Sequence, residues 1–240
     1  MITAEGITKS YVRKSGRKTI FRDLSFEVPR GENLAILGGA GTGKTSLINM
    51  IGGIDFPDRG RIRRHGSISW PFGQMRYERG MTVSQHIRFL CRVVGEKDFA
   101  RVEREVRELT GYSREFLHPA SELNQPDTRR LSLALSLAFS FDIMLFDGKP
   151  LFNQVENGEA YEAKLEEKLK QSAAVIATKA PQQVDASYKY FLVLDGSSGQ
   201  LYDKRKVAVE AYRGINKDIV AEEAGVEPAD EEQDKAWGLS

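Results

Sequence analysis

Gly38-Gly39-Ala40-Gly41-Thr42-Gly43-Lys44-Thr45 fits the pattern G-x-x-x-x-G-K-[ST] without gap or substitution, and its flanks decide the fold around it. Leu34-Ala35-Ile36-Leu37 before it reads as a short buried strand. Ser46-Leu47-Ile48-Asn49-Met50-Ile51 after it reads as the first turns of a helix. Glycines let such a loop curl until its backbone N–H groups converge on phosphates, and the helix N-terminus adds partial positive charge behind them. Lys44 is placed to neutralise β- and γ-phosphates, and Thr45 to hold Mg²⁺ through its hydroxyl. The candidate nucleotide-binding residues are therefore Gly38, Gly39, Ala40, Gly41, Thr42, Gly43, Lys44, Thr45 and Ser46, and the expected ligand is a nucleoside triphosphate with Mg²⁺.

A chain of 240 residues with 40% apolar content can bury one sizeable core, or one core with a smaller lobe attached. With 35 basic against 34 acidic side chains the formal net charge is +1, so no overall field argues for nucleic acid. Arg61, Arg63, Arg64 and His65 cluster locally, but alternation with Ile62 reads as the solvated face of a strand. The single cysteine, Cys91, allows no internal disulfide, suits a reducing compartment and has the apolar neighbours of a buried filler. No apolar run approaches the roughly 20 residues that span a bilayer, and the N-terminus lacks a signal-peptide pattern. The expectation is a cytoplasmic protein whose membrane contact comes through a partner.

Residues 1–30 alternate polar and apolar around Ser15-Gly16, which predicts an antiparallel hairpin ahead of the loop. Residues 60–70 read as another strand. From 84 to 112 the period turns helical, with Ile87, Leu90, Cys91 and Val94 on one face and Phe99, Val102, Val106 and Leu109 on another. Residues 131–139 are apolar at helical spacing, 160–171 form a charged helix, 173–177 a buried strand, and 190–194 with 200–202 a closing hairpin. The final segment is rich in Glu and Asp and reads as a solvated tail, although Trp237 leaves a docking anchor open.

Ile143-Met144-Leu145-Phe146 is a buried strand that ends in Asp147, about a hundred residues past the loop. Two readings stand for that carboxylate. It completes the Mg²⁺ site beside Thr45, or it opens the turn before Gly148.

The order of these pieces resembles the ATP-binding subunits of ABC transporters, and within them those of bacterial capsular and related polysaccharide exporters. The resemblance rests on Ile7-Thr8-Lys9-Ser10-Tyr11, on residues 51–62 beginning Ile51-Gly52-Gly53-Ile54-Asp55, on Ser67-Ile68-Ser69-Trp70-Pro71, and on Ile87-Arg88-Phe89-Leu90-Cys91-Arg92-Val93. Residues 131–147 continue it. It implies an α/β P-loop NTPase core of ABC type with an antiparallel β lobe and a helical lobe. Residues 1–215 would form that nucleotide-binding domain, the helical lobe lying at about 75–135, and 216–240 the acidic tail. By the same resemblance Tyr11 would stack on adenine or else simply pack in the hairpin, and Gln74 would sit near Mg²⁺ and couple the nucleotide to a transmembrane partner. The implied cofactors are ATP and Mg²⁺. The implied partners are a transmembrane exporter subunit at the inner membrane and a second copy or a paralogous ATP-binding subunit.

The chain also departs from that pattern. The family places a Glu after the magnesium Asp to polarise the attacking water; here Gly148 follows, and glycine accepts no proton. Glu156 and Glu159 lie downstream without an obvious route to that water. The family's switch histidine gives way to Lys179 in Thr178-Lys179-Ala180, and His65, His86 and His118 all precede it. Lys179 can touch a γ-phosphate as a point charge or be merely solvated, but it cannot copy an imidazole. The signature phrase aligns with Leu123-Asn124-Gln125-Pro126-Asp127, where proline lacks an N–H and a carboxylate repels phosphate. Lys149-Pro150-Leu151-Phe152-Asn153 lacks the usual Asp of the dimer-contact turn.

These departures separate a nucleotide-binding, hydrolysis-poor export subunit from a competent ATPase with non-standard catalytic residues. A cytosolic P-loop kinase or GTPase is the distant third reading, since neither a guanine-reading motif nor a second substrate lid is present.

Overall fold

The computed structural model describes residues 1–216 apart from Ser15. In chain order the first elements are β1 (Ile2–Arg13), β2 (Gly16–Val28), β3 (Asn33–Leu37), α1 (Lys44–Ile51), β4 (Arg59–Arg64) and β5 (Ile68–Pro71). Then come α2 (Val83–Val94), α3 (Phe99–Thr110), α4 (Gln125–Ala138), β6 (Ile143–Asp147), α5 (Gly158–Leu169), β7 (Ala173–Thr178), β8 (Tyr188–Asp195), β9 (Ser198–Tyr202) and α6 (Arg205–Ile215).

The strands make two sheets. The smaller is antiparallel, in the order β2-β1-β4, with Tyr11 opposite Lys18 in the hairpin. The larger runs β5-β6-β7-β3-β8-β9. Its first five strands are parallel and β9 pairs antiparallel with β8. Strands buried on both faces read as continuous apolar runs, which is why 34–37, 143–146 and 173–177 are so uniformly hydrophobic.

Alternate residues of these runs enter two separate cores. Leu34, Ile36, Leu145 and Val175 pack with Leu47, Ile48 and Ile51 of α1 and with Ile7, Phe21 and Phe26 of the hairpin. Ala35, Leu37, Phe146 and Ile176 face the other way, toward Leu131, Leu135, Tyr161 and Tyr212 of α4, α5 and α6. A one-residue slip in β3 would exchange the two sets, so the register of the strand that carries the loop is pinned from both sides.

The helical lobe follows the expected two faces. Ile87, Leu90 and Cys91 are buried on α2, and Val102 and Val106 on α3. Thr82 and Gln85 form a reciprocal capping box on α2, and Asp98 caps α3.

Three readings need correction. Residues 60–70 are two strands in different sheets. The chain leaves the small sheet at Gly66, whose φ of +116° is open to glycine, and Asp142 then fastens Ser67 by accepting from its N–H and hydroxyl. Arg64 does not join the solvated face: it is half-buried and donates to the Met50 carbonyl at 2.8 Å, satisfying the end of α1. Arg61 and Arg63 do stay outside, paired with Glu5. Finally, α6 lies where no helix was expected. It is anchored by Ala208 and Tyr212, one helical turn apart and both buried. The acidic tail and Trp237 lie outside the described residues.

Candidate nucleotide site

β3 is flanked by β7 on one side and β8 on the other, although it precedes both in sequence by more than a hundred residues. The loop that follows β3 therefore opens at the C-terminal edge of the sheet where strand order reverses, the place at which open α/β sheets bind ligands. The ladders pair Leu37 with Thr178 and Ala177 with Asp147. That register brings three strand tips together, bearing Gly38, Lys179 and Asp147.

Two glycines in the loop answer to close approach. A Cβ on Gly38 would stand 2.4 Å from Thr42 Oγ1, and one on Gly43, where φ is +94°, would stand 2.3 Å from Ile20 Cγ2. Thr42 donates back to the Gly39 carbonyl at 3.1 Å. Lys44 Nζ donates to the carbonyls of Gly38 and Gly39 at 2.7 and 2.6 Å. Burial lowers the Lys44 pKa, Asp147 opposes that shift, and Lys179 adds to it. The side chain is thus a partly desolvated cation held against its own loop.

Thr45 Oγ1 donates to Asp147 Oδ2 at 2.8 Å. A hydroxyl and a carboxylate side by side are hard oxygen donors suited to Mg²⁺, which is commonly held by one or two carboxylates together with substrate phosphates. Among the described residues no cluster of three His, Cys, Asp or Glu forms a self-contained metal cage. Of the two readings of Asp147, its place against Thr45 favours the metal site over the simple turn. Gln74 follows β5, its N–H donating to the Pro71 carbonyl at 3.0 Å, and its exposed side chain lines a cleft of about 860 Å³ with Asn49 of α1, Trp70, Pro126, Arg129 and Gln154.

Tyr11 belongs to a network that the sequence did not reveal. Its hydroxyl donates to Asp55 Oδ2 at 2.6 Å, Lys9 Nζ donates to Asp55 Oδ1 at 2.6 Å, and the Lys9 ammonium sits 4.9 Å from the Tyr11 ring centroid. Lys9 is buried. Asp55 comes from the turn after α1, so the network ties the hairpin to the helix that carries the loop. Burial opposes ionisation of Asp55, but the hydrogen bonds from Lys9, Tyr11 and the Phe56 N–H outweigh it and hold the carboxyl below its usual range. A carboxyl so depressed adds stability above the unfolded-state pKa of about 4, and that increment disappears as pH falls through the lower folded value. Asp55→Asn is therefore expected to cost about 2 kcal/mol at pH 7 in chemical denaturation. The gap from wild type should narrow progressively as the pH falls below about 4; a gap that stays constant all the way down to acid unfolding would assign the loss to packing.

The residues expected from the sequence at the catalytic positions are well defined. Gly148 has φ +91° and donates to the Ala177 carbonyl at 2.8 Å. A Cβ there meets nothing within 4 Å, so the obstacle to glutamate is backbone conformation and not space. Glu156 is exposed and pairs with Arg130, while Glu159 is exposed in the first turn of α5. Lys179 has an exposed side chain, but its carbonyl accepts the buried Tyr212 hydroxyl at 2.6 Å, so α6 braces the tip of β7. In the segment Leu123–Asp127, Asn124 caps α4 by accepting from the Asp127 N–H at 2.9 Å, with Pro126 inside the first turn.

A phosphate-type loop at the switch point of a parallel sheet, with an antiparallel sheet on one side and helices on the other, is the architecture of an α/β P-loop NTPase core. A family model described as ABC transporter matches residues 21–149, more than half the chain, and the chain belongs to that family. The polysialic acid transport ATP-binding protein KpsT of Escherichia coli is 36% identical over 61% of this chain and 66% of its own length. The capsule polysaccharide export ATP-binding protein CtrD of Neisseria meningitidis serogroup B is 28% identical over 90% of this chain and 100% of its own. The ATP-binding protein BexA of Haemophilus influenzae is 29% identical with the same coverage. Among solved structures, the ATP binding subunit of an ABC transporter superposes with a TM-score of 0.67 at 18% identity, covering 94% of this chain and 99% of that one. A dimeric ATP-binding cassette in a post-hydrolysis state gives 0.65 at 17% identity, over 85% and 98%. The ABC-type core expected from the sequence is thus the fold observed.

Proposed function

We propose that this chain is the ATP-binding subunit of an ABC exporter for capsular or related surface polysaccharide, and that it binds ATP with Mg²⁺ while hydrolysing it weakly. One observation carries the reading. Thr45 and Asp147 stand in contact beside a glycine-demanding loop, yet the next residue is a glycine locked at positive φ. In this reading residues 1–215 act as one nucleotide-binding domain with its helical lobe at about 75–135.

Gly38 to Ser46 supply N–H groups and a helix N-terminus to the phosphates, Lys44 exchanges its bonds to the Gly38 and Gly39 carbonyls for phosphate oxygens, and Tyr11 offers its ring to adenine. Thr45 and Asp147 would hold Mg²⁺, which neutralises charge on the β- and γ-phosphates. Lys179 adds a cation at the strand tip where Lys44 feels it. Gly148 after Asp147 offers no proton acceptor, and among the described residues Glu156 is paired with Arg130, so in this reading terminal-bond cleavage lacks a positioned base.

Names of relatives support the exporter reading: KpsT and CtrD are transport and export ATP-binding proteins for polysialic acid and capsule polysaccharide. Among the described residues no helix is long and apolar enough to cross a membrane, so a transmembrane partner would supply the path. The cleft lined by Gln74, Trp70 and Arg129 would face that partner, and a second copy or a paralogue would complete the assembly on the cytoplasmic side of the inner membrane.

Magnesium titration tests the site. For the wild type, Mg²⁺ should tighten ATP binding in calorimetry, and Asp147→Ala should remove most of that gain, about tenfold in Kd, for the loss of one charged metal contact. Equal Mg²⁺ enhancement in both proteins would place the metal elsewhere.

A further inference from the structure

The hairpin does more than shelter the loop. Strand β2 lies along the phosphate loop in step with it: Ile20 Cγ2 approaches Gly43 so closely that a Cβ there would stand 2.3 Å away. Two residues earlier, Lys18 Nζ lies 3.8 Å from the Cβ position of Gly41. The hairpin register shifts between the pairs Lys9–Phe21 and Ser10–Thr19, a bulge that turns both Ile20 and Phe21 onto Gly43, and two steps along β2 match two steps along the loop. Lys18 also stands directly opposite Tyr11 across the hairpin, and direct cross-strand partners share a face. Tyr11 and Lys18 therefore share the underside of the hairpin, and the bulged pair Ile20 and Phe21 closes its end over Gly43.

Asp55 fixes the Tyr11 end of that underside and the Ile20–Gly43 contact fixes the other. Between them, an ammonium hangs over the bend of the loop where φ at Gly41 is +74°. Among the described residues no carboxylate pairs with Lys18, whereas its neighbour Arg17 is bound to Ser10 and Asp58. The geometry points to Lys18 as a second phosphate-binding cation, delivered to the loop by the hairpin, so that a polyphosphate is clasped between loop N–H groups and the Lys18 ammonium. The assignment rests on the nucleotide-binding reading above. A polyphosphate is its ligand chemistry, since a lysine is a point charge with three rotatable donors and has no fork to read a base or a sugar. The contact also links filling of the phosphate site to the position of the β lobe.

The experiment is a calorimetric titration of the full chain with Mg²⁺–ATP, ADP and adenosine, using wild type, Lys18→Ala, Lys18→Arg and Lys44→Ala. Lys18→Ala should weaken ATP and ADP by about 5- to 20-fold, leave adenosine within twofold, and flatten the salt dependence of ATP binding. Lys18→Arg should recover most of the loss, because a cation survives. If Lys18→Ala binds ATP within twofold of wild type while Lys44→Ala does not, the Lys18 assignment is wrong and the nucleotide site stands. If adenosine weakens as much as ATP, Lys18 acts by shaping the hairpin and the assignment is again wrong. A wild-type chain that binds no ATP overturns both readings together.

Discussion

Lys44→Ala is expected to raise the Kd for ATP by about 100-fold or more, which corresponds to roughly 3 kcal/mol of lost charge-assisted bonding. The magnitude follows from the setting of Lys44. The ammonium is partly desolvated, and burial already lowers its pKa, so a phosphate meets a poorly hydrated charge in an environment of reduced dielectric. The alanine variant also leaves the Gly38 and Gly39 carbonyls without the ammonium that ties the empty loop together, so the loop is less ordered before the ligand arrives. Equilibrium dialysis or calorimetry reads the effect directly. A variant that binds within fivefold of wild type would mean that the loop N–H groups alone hold the nucleotide.

The second large effect concerns turnover. The purified chain should hydrolyse ATP about 10²- to 10⁴-fold more slowly than an ATPase with a positioned general base, the usual worth of such a group. Gly148→Glu combined with Lys179→His should raise the single-turnover rate at least tenfold and lower the melting temperature at the same time. The gain comes from a carboxylate with open space around position 148; the cost comes from forcing an L-residue to φ +91°, about 1–2 kcal/mol. Destabilisation without a gain in rate would show that the turn holding the Gly148 N–H on Ala177 keeps the new carboxylate away from the phosphate end. Fast, Lys44-dependent turnover by the unmodified chain would refute the weak-hydrolysis proposal.

How far the sequence could be read depended on the reach of each interaction. The loop, its strand and its helix are contiguous, and the motif names its own geometry, so residues 34–51 could be read locally. Asp147 announced itself as the polar end of an apolar run, but its contact with Thr45 needs β6 and β7 in register with β3. The network of Lys9, Tyr11 and Asp55 left no local trace, since two of its members sit in a strand and the third in a turn more than forty residues on. Lys18 was equally silent: only the way β2 crosses the loop gives it meaning. The break within 60–70 hid because Ile62, Ile68 and Trp70 keep one period-two phase on either side of the bend while the backbone changes sheets at Gly66. Helix α6 escaped because its buried stripe is narrow, Ala208 and Tyr212, among exposed charges such as Arg205, Lys206 and Arg213.

The position of β3 has a consequence for how the protein is made. Leu34 leaves the ribosome early, yet its ladder partners Val175 and Tyr190 are synthesised after most of the chain. Pairings so distant in sequence form late and slowly, since the intervening loop must be closed before they reward it. A nascent chain thus carries its phosphate motif for most of translation without the frame that shapes it. A product cut short before Ala173 keeps every letter of that motif and has nothing to hold it in the form that grips.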